Sequence, residues 1–340
     1  MEGSRCAVGS GGCGGDGGAA RPWSAGRPNP YHSAILSTGA SAAPHNRGLT
    51  AGPRPSRRPG PRWARTGAEG EVIPVDPAET DLRDGGLRDA DLRDRAFDGP
   101  VVQRGVGIIA PFDLALEREL WRWTPLEVSL HLARTPFEPV PVSLEMAELV
   151  SERRHVQAAT RDVLGVDPEV VAYLCTSGSF IHGLDHEAGL RRSILEAGAP
   201  AAVTTSGALA EAVRAMGLRQ VSVITPYDAD LTDRLVAYLG ELGVTVPRRH
   251  HLGLGGGIWR VNYRTVAELI LAADTPEAEA VFVSCTNLPT YDIIEPLERR
   301  LGKPVLTANQ LTVWACLGRM GLPMVGPGRW LAGVFREGPP

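Results

Sequence analysis

From Val101 onward the apolar positions switch between two spacings. Short, nearly continuous apolar runs fall at 104–110, 128–133, 170–175, 200–203, 220–225, 244–250, 280–285 and 304–306. Such runs read as buried strands. Between them, apolar residues recur three or four apart at 113–123, 143–164, 182–197, 207–216, 229–242, 263–273, 291–301 and 309–320, the spacing of amphipathic helices. Strands alternating with helices predict an α/β fold whose parallel sheets are covered on both faces. Residues 1–100 show neither spacing. They are rich in Gly, Arg, Pro, Ser and Ala, with Leu-Arg-Asp recurring at 82–84, 87–89 and 92–94. Such a stretch buries too little apolar surface to offset its ordering entropy. It is expected to be a disordered extension, or the product of a mis-set translation start.

The pattern repeats itself. Val106-Gly-Ile-Ile-Ala-Pro111-Phe112-Asp113 lies over Val221-Ser-Val-Ile-Thr-Pro226-Tyr227-Asp228 at an offset of 115. Val170–Cys175 lies over Ala280–Cys285 at an offset of 110. With one gap, Pro200–Ser206 resembles Pro304–Asn309. Three matches in the same order predict two homologous halves facing each other across a cleft. The expected division places 101–212 and 304–335 in the first half and 213–303 in the second.

The duplicated strands carry the chemistry. Each ends in Cys-Thr and a small polar residue: Cys175-Thr176-Ser177 and Cys285-Thr286-Asn287. A strand's C-terminal end ahead of a helix is a recurrent place for α/β active sites. A helix N-terminus lowers a thiol pKa and offers free backbone N–H groups. Both thiols are expected on the approach to such a terminus, with the hydroxyls of Thr176, Ser177 and Thr286 near a substrate carboxylate. The competing reading is a buried core thiol, the usual fate of a lone cysteine. It fits Cys316, mid-helix among apolar residues. It fits the matched pair less well. Tyr227 follows a strand and is placed to donate to a carboxylate. Asp113 and Asp228 are by default helix N-caps. His182 and His186 stand four apart, a spacing that can bind zinc, but no third ligand is evident.

Composition narrows the field. The formal charge of −4 gives no sign of nucleic-acid binding, and no apolar run approaches the ~20 residues that span a bilayer. Lys303 is the only lysine, and it sits in a Gly-Lys-Pro turn poorly suited to a Schiff base. The five cysteines form no CxxC pair and no even framework. A reducing, cytoplasmic setting is expected.

At Cys175-Thr-Ser-Gly-Ser, Thr225-Pro-Tyr227, Ser284-Cys285-Thr-Asn287-Leu and Gly302-Lys-Pro-Val-Leu-Thr-Ala-Asn309-Gln, the chain resembles the aspartate/glutamate racemase superfamily. It is most similar to the maleate cis–trans isomerase branch, which includes arylmalonate decarboxylases. The resemblance covers residues 104–322. It implies two α/β halves with parallel four-stranded sheets, no metal, no organic cofactor and a homodimer. It makes Cys175 the nucleophile and Cys285 the acid–base partner. Asp113, Thr176, Ser177, Tyr227, Thr286 and Asn287 would bind substrate, and Asn262 is a looser candidate. Where the isomerases carry Asn in a Pro-Ser-Ser-Asn-Thr loop, this chain has Pro111-Phe112-Asp113-Leu114, which puts maleate itself in question. The leading expectation is cis–trans isomerisation of a small unsaturated dicarboxylate. Amino-acid or hydantoin racemisation, arylmalonate-type decarboxylation and non-catalytic carboxylate binding stand as alternatives.

Overall fold

The computed structural model describes residues 103–334, which lie within one compact unit. The expected disordered tail, its Leu-Arg-Asp repeats, Cys6 and Cys13 lie outside the described residues. The first half runs β1 (Arg104–Ala110), α1 (Glu117–Trp123), β2 (Val128–Arg134), α2 (Leu144–Val150), α3 (Arg153–Leu164), β3 (Val170–Tyr173), α4 (Thr176–Phe180), α5 (Gly183–Glu196), β4 (Ala202–Thr204) and α6 (Thr205–Met216). The second runs β5 (Val221–Thr225), α7 (Ala229–Glu241), β6 (Arg249–His251), α8 (Tyr263–Ala273), β7 (Ala280–Val283), α9 (Tyr291–Leu301), β8 (Val305–Thr307), α10 (Ala308–Arg319) and α11 (Arg329–Ala332).

Two four-stranded sheets form, ordered β2-β1-β3-β4 and β6-β5-β7-β8, with every pairing parallel. The α/β class and the duplicated architecture are as expected. The repeat extends to register. Val106 faces Val170 in one sheet, and Val221 faces Ala280 in the other. Those partners are the pairs aligned at offsets of 115 and 110 in the sequence. Strands β3 and β7 are buried along their whole length. They read as unbroken apolar runs because helices cover both faces.

Several boundaries differ from expectation. Residues 304–335 were expected to join the first half, but β8 pairs with β7 in the second sheet. The chain crosses over only with α10, whose buried Thr312 meets Thr205 of α6 at 2.9 Å. The long helix expected over 143–164 is two helices. Ser151 turns its hydroxyl back onto the Glu148 carbonyl, and Glu152 is extended at ψ 129°. The strand expected over 244–250 shrinks to Arg249–His251 and one bridge at Thr245. Pro247 lies between them and has no N–H to give the ladder.

Candidate active site

The loops after β1, β3, β5 and β7 all open at the C-terminal edges of the two sheets. Together they line a cavity of about 20 Å3. Its wall includes both duplicated thiols, Cys175 and Cys285. Asp113, Thr176, Ser177, Tyr227, Thr286 and Asn287 also contribute. The eight residues singled out from sequence are therefore brought to one place. Four further lining residues carried no chemical signal: Pro111, Val142, Met146 and Ile258. Val142 is tied across the halves to the loop ahead of Ile258, its N–H donating to Gly255 O at 2.9 Å. Their pairing depends on tertiary structure, and sequence periodicity has no means of revealing it.

The two thiols occupy different local structures. Cys175 is the N-cap of α4, and its Sγ accepts from Gly178 N–H at 3.4 Å. Ser177 Oγ lies 3.7 Å from the same sulfur. A Cβ on Gly178 would sit 2.2 Å from the Tyr173 hydroxyl and 3.2 Å from Cys175 Sγ, so only glycine fits that turn. Behind it, Ser179 Oγ donates to the Cys175 carbonyl at 2.7 Å, and His186 Nε2–H donates to Gly178 O at 2.9 Å. His186 thus braces the cysteine turn, and His182 stands beside it with ring centroids 5.2 Å apart.

Cys285 does not cap a helix. It lies in a turn six residues ahead of α9, with φ at +90°. A non-glycine residue there is strained, and such strain collects at functional sites. Its Sγ accepts from Asn287 N–H at 3.4 Å.

Sequence reasoning expected helix termini to lower both thiol pKa values. The structure reverses this. Burial pushes Cys175 above the usual thiol range, despite the opposing Gly178 N–H, Ser177 and Tyr173 hydroxyls. Burial pushes Cys285 up to about 12, with Asn287 N–H opposing and the Asp113 charge adding to the rise. Desolvation by burial outweighs the two or three weak donors at each sulfur. Asp113 is itself raised by burial, against its own backbone N–H, Asn287 and the more distant Arg134.

The remaining polar groups divide into spent and free. Asn287 Oδ1 accepts from Ala115 N–H at 2.8 Å, and its Nδ2 donates to the Asp113 carbonyl at 3.0 Å. Its amide ties the first-half loop to the second half while the residue lines the cavity. Thr286 O accepts from Asn309 Nδ2 at 3.0 Å. Glu119 of α1 accepts from Thr290 N–H at 2.8 Å and Tyr291 N–H at 3.2 Å, a second tie between halves. In contrast, Thr176 Oγ1 is buried without a partner. Tyr227 is 2% exposed; its hydroxyl accepts from Ser284 Oγ at 3.3 Å and turns its own hydrogen toward the Cys285 thiol, whose rise in pKa it opposes.

Other candidates fall elsewhere. Asp228 and Asn262 are N-caps, accepting from Leu231 N–H and Thr265 N–H, each at 2.9 Å. Asp113 is no cap, because α1 begins only at Glu117. Lys303 is held by Asp274 and the Thr275 carbonyl at 2.7 Å each. Cys316 is buried mid-helix, its thiol pushed up to about 12 by burial. Among the described residues, no helix is long and apolar enough to cross a membrane.

A cleft between duplicated α/β halves, with a thiol from each, defines the class to which the chain belongs. The family model described as arylmalonate decarboxylase matches residues 144–330, more than half of the 340 residues, and the chain belongs to that family. Its relatives include both decarboxylases and isomerases on this branch of the aspartate/glutamate racemase fold. The arylmalonate decarboxylase of Bordetella bronchiseptica is 34% identical over 149 residues, 43% of this chain and 62% of that relative. The alignment therefore spans under two thirds of that protein's length. The maleate isomerase of Nocardia farcinica is 28% identical over 239 residues, 66% of this chain and 93% of the relative. The solved structure of a cysteine-to-serine mutant of the Nocardia farcinica maleate cis–trans isomerase carries a covalently bound succinylcysteine intermediate. It matches with a TM-score of 0.62 and 25% identity, covering 68% of this chain and 98% of that one.

Proposed function

We propose that this protein is a cofactor-independent cis–trans isomerase of a small cis-unsaturated acid of the maleate type, with a carboxyl-derived group at each end of the double bond. The observation that carries this is the pair of thiols, delivered by equivalent strands to one cavity. The covalent succinylcysteine in the related isomerase structure supports attack by a cysteine.

The chemistry follows from the two environments. Cys175 is held by Gly178 N–H, with Ser177 Oγ near the sulfur; burial keeps it mostly a thiol, and it reacts from the minor thiolate form left when its proton passes to solvent. Its lone pair forms a C–S bond to one alkene carbon. The π pair moves to the neighbouring carbon and its acyl group. Cys285, kept protonated at neutral pH by burial, gives its proton to that carbon. The former double bond is now a single bond and rotates. Cys285 thiolate retakes the proton, the C–H pair rebuilds the double bond, and the C–S pair returns to Cys175. Thr176 Oγ1, buried without a partner, is a donor for the acyl oxygens, and the Tyr227 hydroxyl beside Cys285 is a second. Hydroxyl donors in a dry site stabilise developing enolate charge more than they do in water.

Cys175→Ser is expected to lower turnover at least ~1,000-fold, the scale of losing an activated nucleophile. Proton NMR in deuterated buffer follows the cis and trans vinyl signals directly. Full turnover in Cys175→Ser would refute the nucleophile assignment. The decarboxylase relative supports a second reading, arylmalonate-type decarboxylation. Loss of a carboxyl group from a substituted malonate by both wild type and Cys175→Ser would favour it.

A further inference from the structure

Among the described residues, the cavity's lining contains one acid and no base: Asp113 is its only ionisable residue besides the two thiols and Tyr227. Arg134, whose charge acts on Asp113, is not among the lining residues and is engaged by the loop itself. Its guanidinium donates to Leu114 O at 2.8 Å and Phe112 O at 3.3 Å, and pairs with Glu117. Val142, Met146 and Ile258 make the rest of the wall apolar. A dianion would enter this space with no cation among the described lining residues and with Asp113 against it, an arrangement a low-dielectric site disfavours.

The polar groups sort by type. Thr176 Oγ1 is an unpartnered hydroxyl, and the Ser177 and Tyr227 hydroxyls beside the two sulfurs are donors too, a set suited to one carboxylate. Asp113 is the acceptor, with its own backbone N–H and Asn287 beside it. A ligand that satisfies both sets has a carboxylate at one end and an N–H donor at the other.

We propose that the substrate is the half-amide of a cis-enedioic acid, its carboxylate at the Thr176–Ser177–Tyr227 side and its amide N–H groups on Asp113. This deepens the isomerase reading and rests on it for the reaction, though not for the charge selectivity. A site built to pair N–H with a carboxylate rejects the ligand that brings a second carboxylate, because acceptor then meets acceptor.

Two measurements on the full chain test it separately. Turnover of maleate and of its half-amide is compared by proton NMR at pH 7.5, in wild type and Asp113→Asn. Wild type is expected to favour the half-amide at least tenfold in kcat/KM, and Asp113→Asn to reverse the preference. A wild-type preference for maleate, or a ratio unmoved by Asp113→Asn, overturns the proposal.

The second measurement needs no turnover and no variant. Succinate and succinamate, the saturated analogues, compete with iodoacetamide for Cys175, and alkylation is read by peptide mass spectrometry. Protection by succinamate at a concentration at least tenfold below that of succinate supports the charge selectivity, even if neither alkene is isomerised. In that case the isomerase reading alone fails. Equal or better protection by succinate overturns the proposal.

Discussion

Cys285 shows how local strain and function meet in one residue. Its φ of +90° is a conformation that glycine adopts freely and a residue with a Cβ adopts at a cost of about 1–3 kcal/mol. The thiol is what the position gains in exchange. Cys285→Ala removes the sulfur and keeps the strain, whereas Cys285→Gly removes both. The glycine variant is therefore expected to be the more stable of the two by about 1 kcal/mol, although it buries less. Urea unfolding of the two variants decides this, and an alanine variant as stable as the glycine one would count against strain at this turn. Much at this scale was legible from sequence. The duplicated Cys-Thr strand ends marked Cys175, Cys285 and the hydroxyls beside them. The direction of the thiol pKa shifts was not legible, because burial acts through the whole enclosure rather than through neighbours in the chain. Nor was the fate of Asn287. A side chain's type shows what it can bond, but not which partner reaches it first.

At the scale of elements, regular segments were readable and their ends were not. The 3.6-residue spacing continues smoothly through 143–164, and no Gly or Pro marks the break at Ser151. Helix α9 holds a consequence that spacing alone does not show. Glu298 lies buried on it, accepting from Val305 N–H at 3.3 Å, with its Oε2 unpartnered. Burial pushes this carboxyl up to about 7, with Val305 N–H, Arg329 N–H and the Arg329 charge opposing and Glu295 adding to the rise. An unfolded glutamate titrates near ~4.3, so between these values the folded chain binds more protons. Its contribution to stability is complete below the unfolded value and is lost as pH rises through about 7. Urea midpoints of wild type should therefore fall between pH 5 and pH 8. Glu298→Gln, which cannot titrate, should show a shallower fall. Equal slopes would remove Glu298 as the source.

The whole molecule is a duplicated fold that works only as a joined pair, and two asparagines separate joining from folding. Asn262 and Asn287 were both candidates for binding substrate. Asn262 instead caps α8, with its side chain accepting from Thr265 N–H at 2.9 Å in an exposed position. Asn287 spans the halves, holding Ala115 N–H and the Asp113 carbonyl beside both thiols. Removing a cap costs about 1 kcal/mol wherever the helix lies. Removing a part-buried tie costs a similar 1–3 kcal/mol through the groups it leaves unpaired. Stability alone therefore does not distinguish them. Activity does, because loosening the Asp113 loop misplaces an acid that faces Cys175 and Cys285. A shift of about 1 Å at reacting groups can cost ~100-fold in rate. Asn262→Ala is expected to lower the urea midpoint and leave kcat/KM within about twofold of wild type, in keeping with a cap that is not among the cavity's lining residues. Asn287→Ala is expected to lower the midpoint comparably and to reduce kcat/KM by ~100-fold, mostly in kcat. Equal activity losses in both variants would mean that the halves are held together by packing such as Phe180 against Tyr227, 6.2 Å between ring centroids, and not by this amide.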